Sequence, residues 1–351
     1  MRGRSEADRV KKVFIDGSAG TTGLRIRERL ASRRDLELVI LPEEVRKDVE
    51  ARRAALNGCD VAFLCLPDAA AVEAVSLVEN PDVVVIDTST AHRTADGWEY
   101  GFPELAGRRA RIAQAKRIAN PGCHASGFVA LVEPLVRAGV VARDEKLCAF
   151  SLTGYSGGGK KMIAEYEVRL QNGEAVSSPL QNGHGTSCGS GEDAASPLFF
   201  GGRQYALGQK HKHLPEMAKI CGLANAPCFS PIVVPHLSGM EVTVQLFRSQ
   251  LRSPSGAIPT VEDLKGLYRS CYAGNGLVRL VDDPAAAEGG FLSSAGLSGR
   301  DDMEVSVYGN DERIVLVSRF DNLGKGASGA AIQNMNLVLG CAENEGLRFE
   351  V

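Results

Sequence analysis

The sequence lacks an apolar run long enough to cross a lipid bilayer, which argues against a membrane-spanning protein. Its first twelve residues, MRGRSEADRVKK, are charged and have no apolar core, so they are not typical of a secretory signal. Their acidic residues also argue against an organellar transit peptide. We therefore expect a short disordered lead-in at this end, a cytoplasmic protein and no membrane partner.

The chain also lacks an excess of positive charge. It contains 40 Lys and Arg residues against 43 Asp and Glu residues, which gives a net charge of −3. Proteins that bind nucleic acids or anionic membrane surfaces usually carry a large basic excess. The charge balance therefore predicts neither of these partners.

None of the nine cysteines forms a C-x-x-C pair. The absence of such pairs argues against a structural zinc site, and the scattered positions argue against a disulfide framework. Most of the cysteines, such as Cys65 in VAFLCLP, stand in apolar strand-like runs and are expected to be small core residues. A reducing cytosol fits this pattern best.

The first third of the chain alternates short apolar runs with helical stretches. We predict strands at 13–16, 36–41, 60–66, 82–88 and 117–120. Nearly continuous apolar strands separated by helices are typical of a parallel sheet that is covered on both faces. The sequence therefore predicts an α/β Rossmann-type, dinucleotide-binding domain at residues 12–122.

After residue 122 the strands alternate apolar and polar residues. We predict such strands at 147–155, 230–237, 240–247 and in a hairpin at 301–320 that turns at Gly309-Asn310-Asp311. This pattern favours an α+β substrate and oligomerisation domain at 123–318 with a mostly antiparallel sheet. The last segment, 319–351, contains the helical stretch GKGASGAAIQNMNLVLG, which we expect to pack back on the first domain.

A glycine-rich loop, DGSAGTTG, follows the first predicted strand and opens the first helix. Its glycines permit a tight turn, and the helix N-terminus offers N–H donors to a pyrophosphate. The spacing is G-x-x-G-x-x-G rather than G-x-G-x-x-G, so a plain strand-to-helix turn is the alternative. The cofactor contacts predicted in this loop are Gly17, Ser18, Gly20, Thr21, Thr22 and Gly23.

The sequence leaves the choice between NAD and NADP open. An acidic residue about twenty positions after the glycine loop favours NAD, and Glu43 and Glu44 lie near that distance. Arg46 and Lys47 follow immediately and could bind a 2′-phosphate.

Cys123 follows a Pro-Gly turn in ANPGCHA and begins an apolar helical run. A helix N-terminus carries partial positive charge and is expected to lower the pKa of a thiol. A thiolate beside a nicotinamide suits the interconversion of an aldehyde and an activated acyl group through a thioester. Position alone fits a nucleophile and a buried structural thiol equally well.

Two further motifs carry candidate chemistry. QKHKHLPEM holds the pair His211 and His213, which suits acid/base catalysis and has no third ligand spaced for a metal. TGYSGGGKK could bind an anionic substrate through its backbone N–H groups, or it could be a linker.

These segments together resemble the N-acetyl-gamma-glutamyl-phosphate reductases of the shorter, second type, within the semialdehyde dehydrogenase superfamily. The matching segments are FIDGSAGTTGLRIRERL, DTSTAHRTADGWEYGFPEL, ANPGCHASGF, TGYSGGGKKMIAEYE, KHKHLPEM, PHLSGM and DNLGKGASGAAIQNMNLVLG. They run in the family's order from residue 14 to about residue 340, so the resemblance covers nearly the whole chain.

The resemblance implies an NADP-dependent enzyme of arginine biosynthesis. Its reaction is the reduction of N-acetyl-L-glutamyl 5-phosphate to N-acetyl-L-glutamate 5-semialdehyde and phosphate. Cys123 matches the nucleophile that forms a thioacyl intermediate, and His211 matches the acid/base residue, with His213 as second choice. Arg46 becomes the expected contact of the NADP 2′-phosphate.

The same match implies further site residues. Those expected to contact the substrate are Arg93, Asn120, Ser156, Gly157 and His213. Those expected to lie against the nicotinamide are Asn322, Lys325 and Gly326. No metal site is implied, and a homo-oligomer, either a dimer or a tetramer, is expected.

The chain departs from the family pattern in a few places. His124 stands where an aromatic residue is usual, and Ser126 where threonine is common. Extra length lies in the lead-in and in loops around 184–203 and 282–300. The alternative enzymes are aspartate-semialdehyde dehydrogenase and aminoadipyl-phosphate reductase, and the non-enzymatic alternative is a nucleotide-binding scaffold.

Overall fold

The structure, a computed structural model, describes residues 9–171, 199, 201–253, 256–274 and 276–350. The first eight residues of the predicted lead-in and most of the predicted loop at 184–203 lie outside these ranges. In the described part of the chain, no helix combines the length and apolar character that crossing a membrane requires.

The first sheet is fully parallel, as the sequence predicts. Its strands are β1 (Lys11–Asp16), β2 (Leu36–Val39), β3 (Val61–Leu64), β4 (Val84–Asp87), β5 (Glu99–Tyr100) and β6 (Arg117–Ala119). They lie in the order β2-β1-β3-β4-β6-β5. The two-residue strand β5 was not predicted, because so short a segment has no periodicity to detect.

Helices cover both faces of this sheet. They are α1 (Thr21–Leu30), α2 (Val49–Asn57), α3 (Asp68–Ser76) and α4 (Arg108–Gln114). Successive residues of a strand face opposite sides, so Phe14 packs with Leu56 and Leu64 while Ile15 packs with Phe63 in a second buried cluster. Covering on both faces explains the uninterrupted apolar runs in β3 and β4.

The second sheet is mixed and mostly antiparallel. Its strands are β7 (Cys148–Gly154), β8 (Arg203–Gln204), β9 (Cys228–Val234), β10 (Met240–Phe247), β11 (Val278–Leu280), β12 (Met303–Gly309) and β13 (Arg313–Phe320). They lie in the order β11-β12-β13-β10-β7-β9-β8, with parallel pairing only at β11–β12 and β7–β9 among the described strands. The predicted hairpin is present as β12 and β13.

Helix α5 (Cys123–Arg137) is the central element of the second core. It begins directly after β6 and is buried along most of its length, because apolar side chains occur on all sides of it. It contacts β10 and β13, and α7 (Leu214–Cys221) and α8 (Val261–Cys271) pack against it. The remaining helices, α6 (Gly159–Gln171) and α9 (Pro284–Ala287), follow β7 and β11.

The last helix, α10 (Gly329–Leu339), lies against the first sheet after a wide turn at Gly324–Ser328. Ile332 and Met335 share a buried cluster with residues of β1, β3, β4 and β6. Asn334 donates a hydrogen bond through Nδ2 to the carbonyl oxygen of Gly101 at 2.9 Å. The chain therefore returns from the last strand of the second sheet to the first sheet through α10.

Candidate active site

A cavity of about 190 Å³ lies between the two sheets, where β4 and β6 end near the end of β7. Most of the predicted site residues line it. These are Thr21, Thr22, Arg93, Asn120, Cys123, Ser156, Gly157, His211, His213, Asn322 and Gly326. Residues that are distant in the sequence thus converge on one cavity.

The glycine loop between β1 and α1 is built for close backbone approach. Gly17 has a φ of +83°, and a Cβ placed on it would lie 2.3 Å from the carbonyl oxygen of Cys65. A Cβ on Gly23 would lie 2.4 Å from the carbonyl oxygen of Gly17. Larger residues at either position would distort the turn, so the loop depends on glycine at both.

The N-terminus of α1 is available for an anion. Its N-cap is Gly20, no side chain caps it, and its first turn has no acidic residue. The first N–H groups of the helix therefore have no hydrogen-bond partner within the helix. They point out of its N-terminus, where the helix dipole attracts negative charge. With Thr21 and Thr22 on the cavity wall, this cradle fits the pyrophosphate of a dinucleotide.

Six predicted cofactor contacts do not line the cavity. Four of them, Gly17, Ser18, Gly20 and Gly23, belong to the glycine loop, and the other two are Arg46 and Lys325. Arg46 is exposed between β2 and α2 and pairs with Glu43 at 2.8 Å. Lys325 is 1% exposed, and its Nζ donates to Glu104 Oε1 at 2.7 Å and to Gln333 Oε1 at 2.5 Å. The amine of Lys325 thus holds the start of α10 to the first domain, and a contact with the nicotinamide is not supported by this geometry.

Cys123 is the first residue of α5 and part of its side chain faces the cavity. Burial raises the pKa of its thiol, while Arg93, the backbone N–H of His124 and Lys212 act in the opposite direction. The expected lowering by the helix N-terminus is therefore outweighed by desolvation. A base is needed to form the thiolate.

Glu216, on α7, holds the turn that precedes Cys123. Its Oε1 accepts hydrogen bonds from the backbone N–H of Gly122 and from the hydroxyl of Tyr100, both at 2.8 Å. Its Oε2 accepts from Arg93 Nη1 at 3.2 Å. No sequence motif points to Glu216 by itself, although its place three residues after His213 in an amphipathic helix was a usable signal.

Arg93 reaches the same turn from the first domain. Its Nε donates to the carbonyl oxygen of Asn120 at 2.9 Å, and its Nη2 donates to the carbonyl oxygen of Thr88 at 3.0 Å. A guanidinium has five N–H donors, so N–H groups are left over for an anion in the cavity. Arg93 therefore positions the turn and can also bind the substrate.

The two histidines of the H-x-H motif lie side by side at the cavity, with ring centroids 4.7 Å apart. Burial lowers the pKa of His211 to about 4, with further lowering by Lys212 and Arg93. The Nδ1 atom of His211 accepts the backbone N–H of His213 at 3.2 Å, so the neutral ring carries its proton on Nε2. His213 is more deeply buried, which lowers its pKa well below the usual range.

His124 adds a third imidazole to this cluster, where an aromatic residue was expected. Its Nδ1 lies 2.6 Å from Ser151 Oγ, and its Nε2 lies 2.7 Å from the hydroxyl oxygen of Tyr205. Burial lowers the pKa of His124 to about 3. The ring is neutral at pH 7 and packs edge-on against His211 with centroids 5.1 Å apart.

The remaining predicted residues are fixed by contacts between elements. Asn322 accepts the backbone N–H of Gly239 at 2.9 Å and donates to Ser156 Oγ at 3.0 Å. Asn120 donates to the carbonyl oxygen of Ala327 at 3.0 Å. A Cβ on Gly326 would lie 3.0 Å from the Cβ of Cys123, so a side chain there would crowd the thiol.

Two family models match the chain. Residues 42–115 match the NAD binding domain of semialdehyde dehydrogenase, and residues 182–322 match its dimerisation domain. Among solved structures, aspartate semialdehyde dehydrogenase II of Vibrio cholerae, complexed with ASA, is similar over 95% of this chain and 99% of its own, with a TM-score of 0.67 and 20% identity. The corresponding enzyme of Candida albicans, solved with NADP, has a TM-score of 0.60 at 15% identity, covering 94% of this chain and 99% of that one. These structures support the fold.

Sequence relatives are closer. A protein of Nostoc sp. named N-acetyl-gamma-glutamyl-phosphate reductase 2 is 42% identical over 96% of this chain and 99% of its own length. Proteins of Burkholderia ambifaria and Brucella ovis, both named N-acetyl-gamma-glutamyl-phosphate reductase, are each 42% identical over 94% of this chain and cover 96% and 99% of their own lengths. Identity at this level over nearly the full length shows that the chain belongs to the N-acetyl-gamma-glutamyl-phosphate reductase family.

Proposed function

We propose that the protein catalyses the NADPH-dependent reduction of N-acetyl-L-glutamyl 5-phosphate to N-acetyl-L-glutamate 5-semialdehyde and phosphate, in arginine biosynthesis. One observation supports this most directly. The cavity joins the first residue of α5, Cys123, to an anion cradle at α1, a buried arginine and two neutral histidines. This set of groups suits an acyl phosphate that passes through a thioester and is then reduced.

The cofactor is assigned to the first domain. The turn from Gly17 to Gly23 would hold the pyrophosphate, with N–H groups of α1 and the hydroxyls of Thr21 and Thr22 as donors. When bound at this turn, NADPH would supply the hydride that reduces the thioester carbon. Arg46 is assigned to the 2′-phosphate through release of its surface pair with Glu43.

Acylation of Cys123 is the first chemical step. The neutral ring of His211 accepts the thiol proton at Nδ1, releasing the hydrogen bond from the His213 N–H, as the sulfur attacks the acyl carbon. Its lowered pKa keeps the ring unprotonated at pH 7 before this step. The bond between the acyl carbon and the phosphate oxygen then breaks, and phosphate leaves. Arg93 binds the phosphate through its unused N–H groups.

Release of the aldehyde uses the same residues in reverse. After reduction, protonated His211 donates its proton to the oxygen of the hemithioacetal. Cleavage of the carbon–sulfur bond then frees the aldehyde, returns the hydroxyl proton to the imidazole and leaves the sulfur of Cys123 as a thiolate. We favour His211 over His213 because its ring is part-exposed while His213 is 4% exposed.

The match of residues 182–322 to a dimerisation domain supports a homo-oligomer. We propose a dimer or tetramer formed through the second domain, and a cytoplasmic location. The domain limits proposed for this arrangement are 12–122, 123–318 and 319–351.

The test is a comparison of two aldehydes in the reverse direction. Purified protein is supplied with NADP⁺, phosphate and either N-acetylglutamate 5-semialdehyde or aspartate 4-semialdehyde, and NADPH formation is followed by absorbance. We expect kcat/KM to be at least about 100-fold higher for the first aldehyde, since it alone carries the acetamide. Equal or reversed preference would assign the protein to a sister semialdehyde dehydrogenase.

A further inference from the structure

A second cavity, of about 460 Å³, adjoins the first on the side of the second domain. The two cavities share Gly157, Tyr205, His211 and Lys212 as lining residues. None of the residues of the α1 cradle lines the second cavity in the described part of the chain. This space therefore suits the part of a substrate that extends away from the cofactor, beyond the acyl carbon at Cys123.

Arg203, in the short strand β8, is on the wall of this second cavity. Its guanidinium carbon lies 4.1 Å from the ring centroid of Phe199 and 5.1 Å from that of Tyr166. Its Nε donates to the Tyr166 hydroxyl at 3.1 Å. Aromatic packing and this hydrogen bond fix the plane of the guanidinium before any ligand arrives.

The guanidinium of Arg203 has no carboxylate partner among the described residues. Arg203 is half-buried. The buried arginines Arg52 and Arg319, by contrast, pair with Asp16 and Glu304. The two Nη atoms of Arg203 make no hydrogen bond within the described residues, where only Nε is engaged. An oriented, unpaired guanidinium at a cavity wall is suited to a bidentate bond with a carboxylate.

The charges around this cavity favour an anionic group. Among the described residues that line it, Arg203 and Lys212 are cationic and Glu165 is anionic. Tyr205 lines the same cavity two residues after Arg203, and its hydroxyl is hydrogen-bonded to His124 in the first cavity. The same short segment therefore links the proposed carboxylate contact to the histidine cluster beside Cys123.

We infer that Arg203 binds the α-carboxylate of the substrate and thereby selects acyl phosphates that carry a carboxylate beyond the reacting carbon. The inference rests on the proposed function, which supplies a substrate with one such group. The acetyl methyl group is then placed against the apolar part of the wall at Met162 and Val233.

The test compares N-acetylglutamate 5-semialdehyde with 4-acetamidobutanal, which has the same acetamide and aldehyde but no carboxylate. In the unaltered protein we expect kcat/KM to be about 100-fold lower for 4-acetamidobutanal, from the loss of a charged bidentate contact. Arg203→Met should lower kcat/KM for the acid by about 100-fold and change that for 4-acetamidobutanal by less than about 3-fold. Arg203→Lys keeps the positive charge but loses the planar pair of N–H donors that binds both carboxylate oxygens. Its kcat/KM for the acid should therefore lie between those of Arg203→Met and the unaltered protein.

Arg252→Met is the matched control, because Arg252 is an exposed arginine with a side chain 62% accessible. It should leave both rates unchanged. If Arg203→Met lowers kcat/KM equally for both aldehydes, Arg203 has only a structural role. Turnover of the acid by the unaltered protein without discrimination would overturn the inference alone, whereas no turnover of either aldehyde would overturn the proposed function as well.

Discussion

The two walls of the cavity differ in which groups can contact a ligand. We call the wall at α1, which follows the glycine turn Gly17–Gly23, the backbone wall, and the wall with Cys123, His124, His211, His213 and Glu216 the side-chain wall. The wall at α1 is made of backbone, with glycines at positions that a Cβ could not occupy and no ionisable side chain in the turn. The wall at α5 and α7 is made of buried ionisable side chains, among them three histidines whose pKa values are all lowered. The backbone wall can bind an anion at any pH near neutrality, because none of its groups titrates there. The charge and reactivity of the side-chain wall depend on which of its histidines and thiol carry a proton.

The difference predicts how each wall responds to mutation. Changes in the backbone wall should affect cofactor binding and leave thiol chemistry intact. Changes in the side-chain wall should affect proton transfer, thiol reactivity and stability against acid, and leave the cofactor site intact.

The largest effect is expected from His211→Ala. Loss of a general base should lower kcat by about 10²- to 10⁴-fold, because the raised pKa of Cys123 leaves the thiol protonated at pH 7. Steady-state kinetics of the reverse reaction measure this, with NADPH titration to check that cofactor affinity is unchanged. If His213→Asn causes the greater loss of kcat, the base is His213 instead.

Gly17→Ala tests the backbone wall. The new Cβ would meet the carbonyl oxygen of Cys65 at 2.3 Å in a conformation with φ of +83°, so the loop must shift. We expect a cost of about 2–4 kcal/mol and NADPH affinity weaker by about 30-fold or more, measured by fluorescence titration.

The control for Gly17→Ala is Gly107→Ala, which has a φ of +72° but open space around the added Cβ. It should reduce stability by about 1 kcal/mol through backbone strain and leave NADPH affinity unchanged. Equal loss of NADPH affinity in both variants would contradict the close approach described for the glycine loop.

Glu216→Gln removes the negative charge of Glu216 while keeping a side chain of nearly the same shape. The amide oxygen can still accept the Gly122 N–H. Burial is the main cause of the raised pKa of Cys123 and the charge of Glu216 adds to it, so the variant removes that contribution and also the carboxylate partner of Arg93. We expect the pKa of the thiol to fall, seen in the pH dependence of alkylation by iodoacetamide, and kcat/KM to fall by about 10-fold as the turn loosens.

Glu133→Gln is the matched control for that experiment. Glu133 is on the same helix as Cys123 and pairs with Arg137 at 3.2 Å, so its loss removes a charge from α5 without touching the turn. The alkylation profile should be unaltered by this change. An unmoved profile in Glu216→Gln as well would mean that Glu216 has no electrostatic influence on the thiol.

His124→Gln should have the smallest effect, and one visible mainly in acid. The pKa of His124 is lowered from 6.5 to about 3 in the folded protein, so below pH 6.5 the unfolded chain gains a proton that the folded chain does not. Stability is therefore lost as the pH falls, by up to about 2 kcal/mol at pH 5 from this one residue. Thermal melts at pH 7 and pH 5 should show a smaller difference in Tm for the variant, and an undiminished difference would place the pH sensitivity elsewhere.

The two walls also differ in how far the sequence predicts them. Glycine spacing after an apolar strand predicts a tight turn into a helix, so the turn from Gly17 to Gly23 could be located from the sequence, while the spacing alone left open whether it binds a dinucleotide. The apolar periods likewise predicted the parallel first sheet and the antiparallel hairpin of the second, while β5 was too short to detect.

The side-chain wall could be predicted only in part. The motifs located Cys123 and His211. The pKa of the thiol, however, depends on its burial and on the charges of Arg93, Lys212 and Glu216, which are distant from Cys123 in the sequence. The partner of Lys325 is Glu104, more than 200 positions away, so the sequence could not show that its amine is already engaged. Interactions of this kind depend on tertiary contacts that no local pattern encodes.

The most direct test of a thioacyl mechanism at Cys123 is to trap the acyl-enzyme. The protein is mixed with N-acetylglutamate 5-semialdehyde and NADP⁺ without phosphate, quenched in acid, digested and analysed by mass spectrometry. We predict an N-acetylglutamyl adduct on the peptide that contains Cys123, formed together with stoichiometric NADPH, discharged by added phosphate and missing in Cys123→Ser. Steady turnover by the Cys123→Ser variant, or an adduct on another residue, would contradict the account.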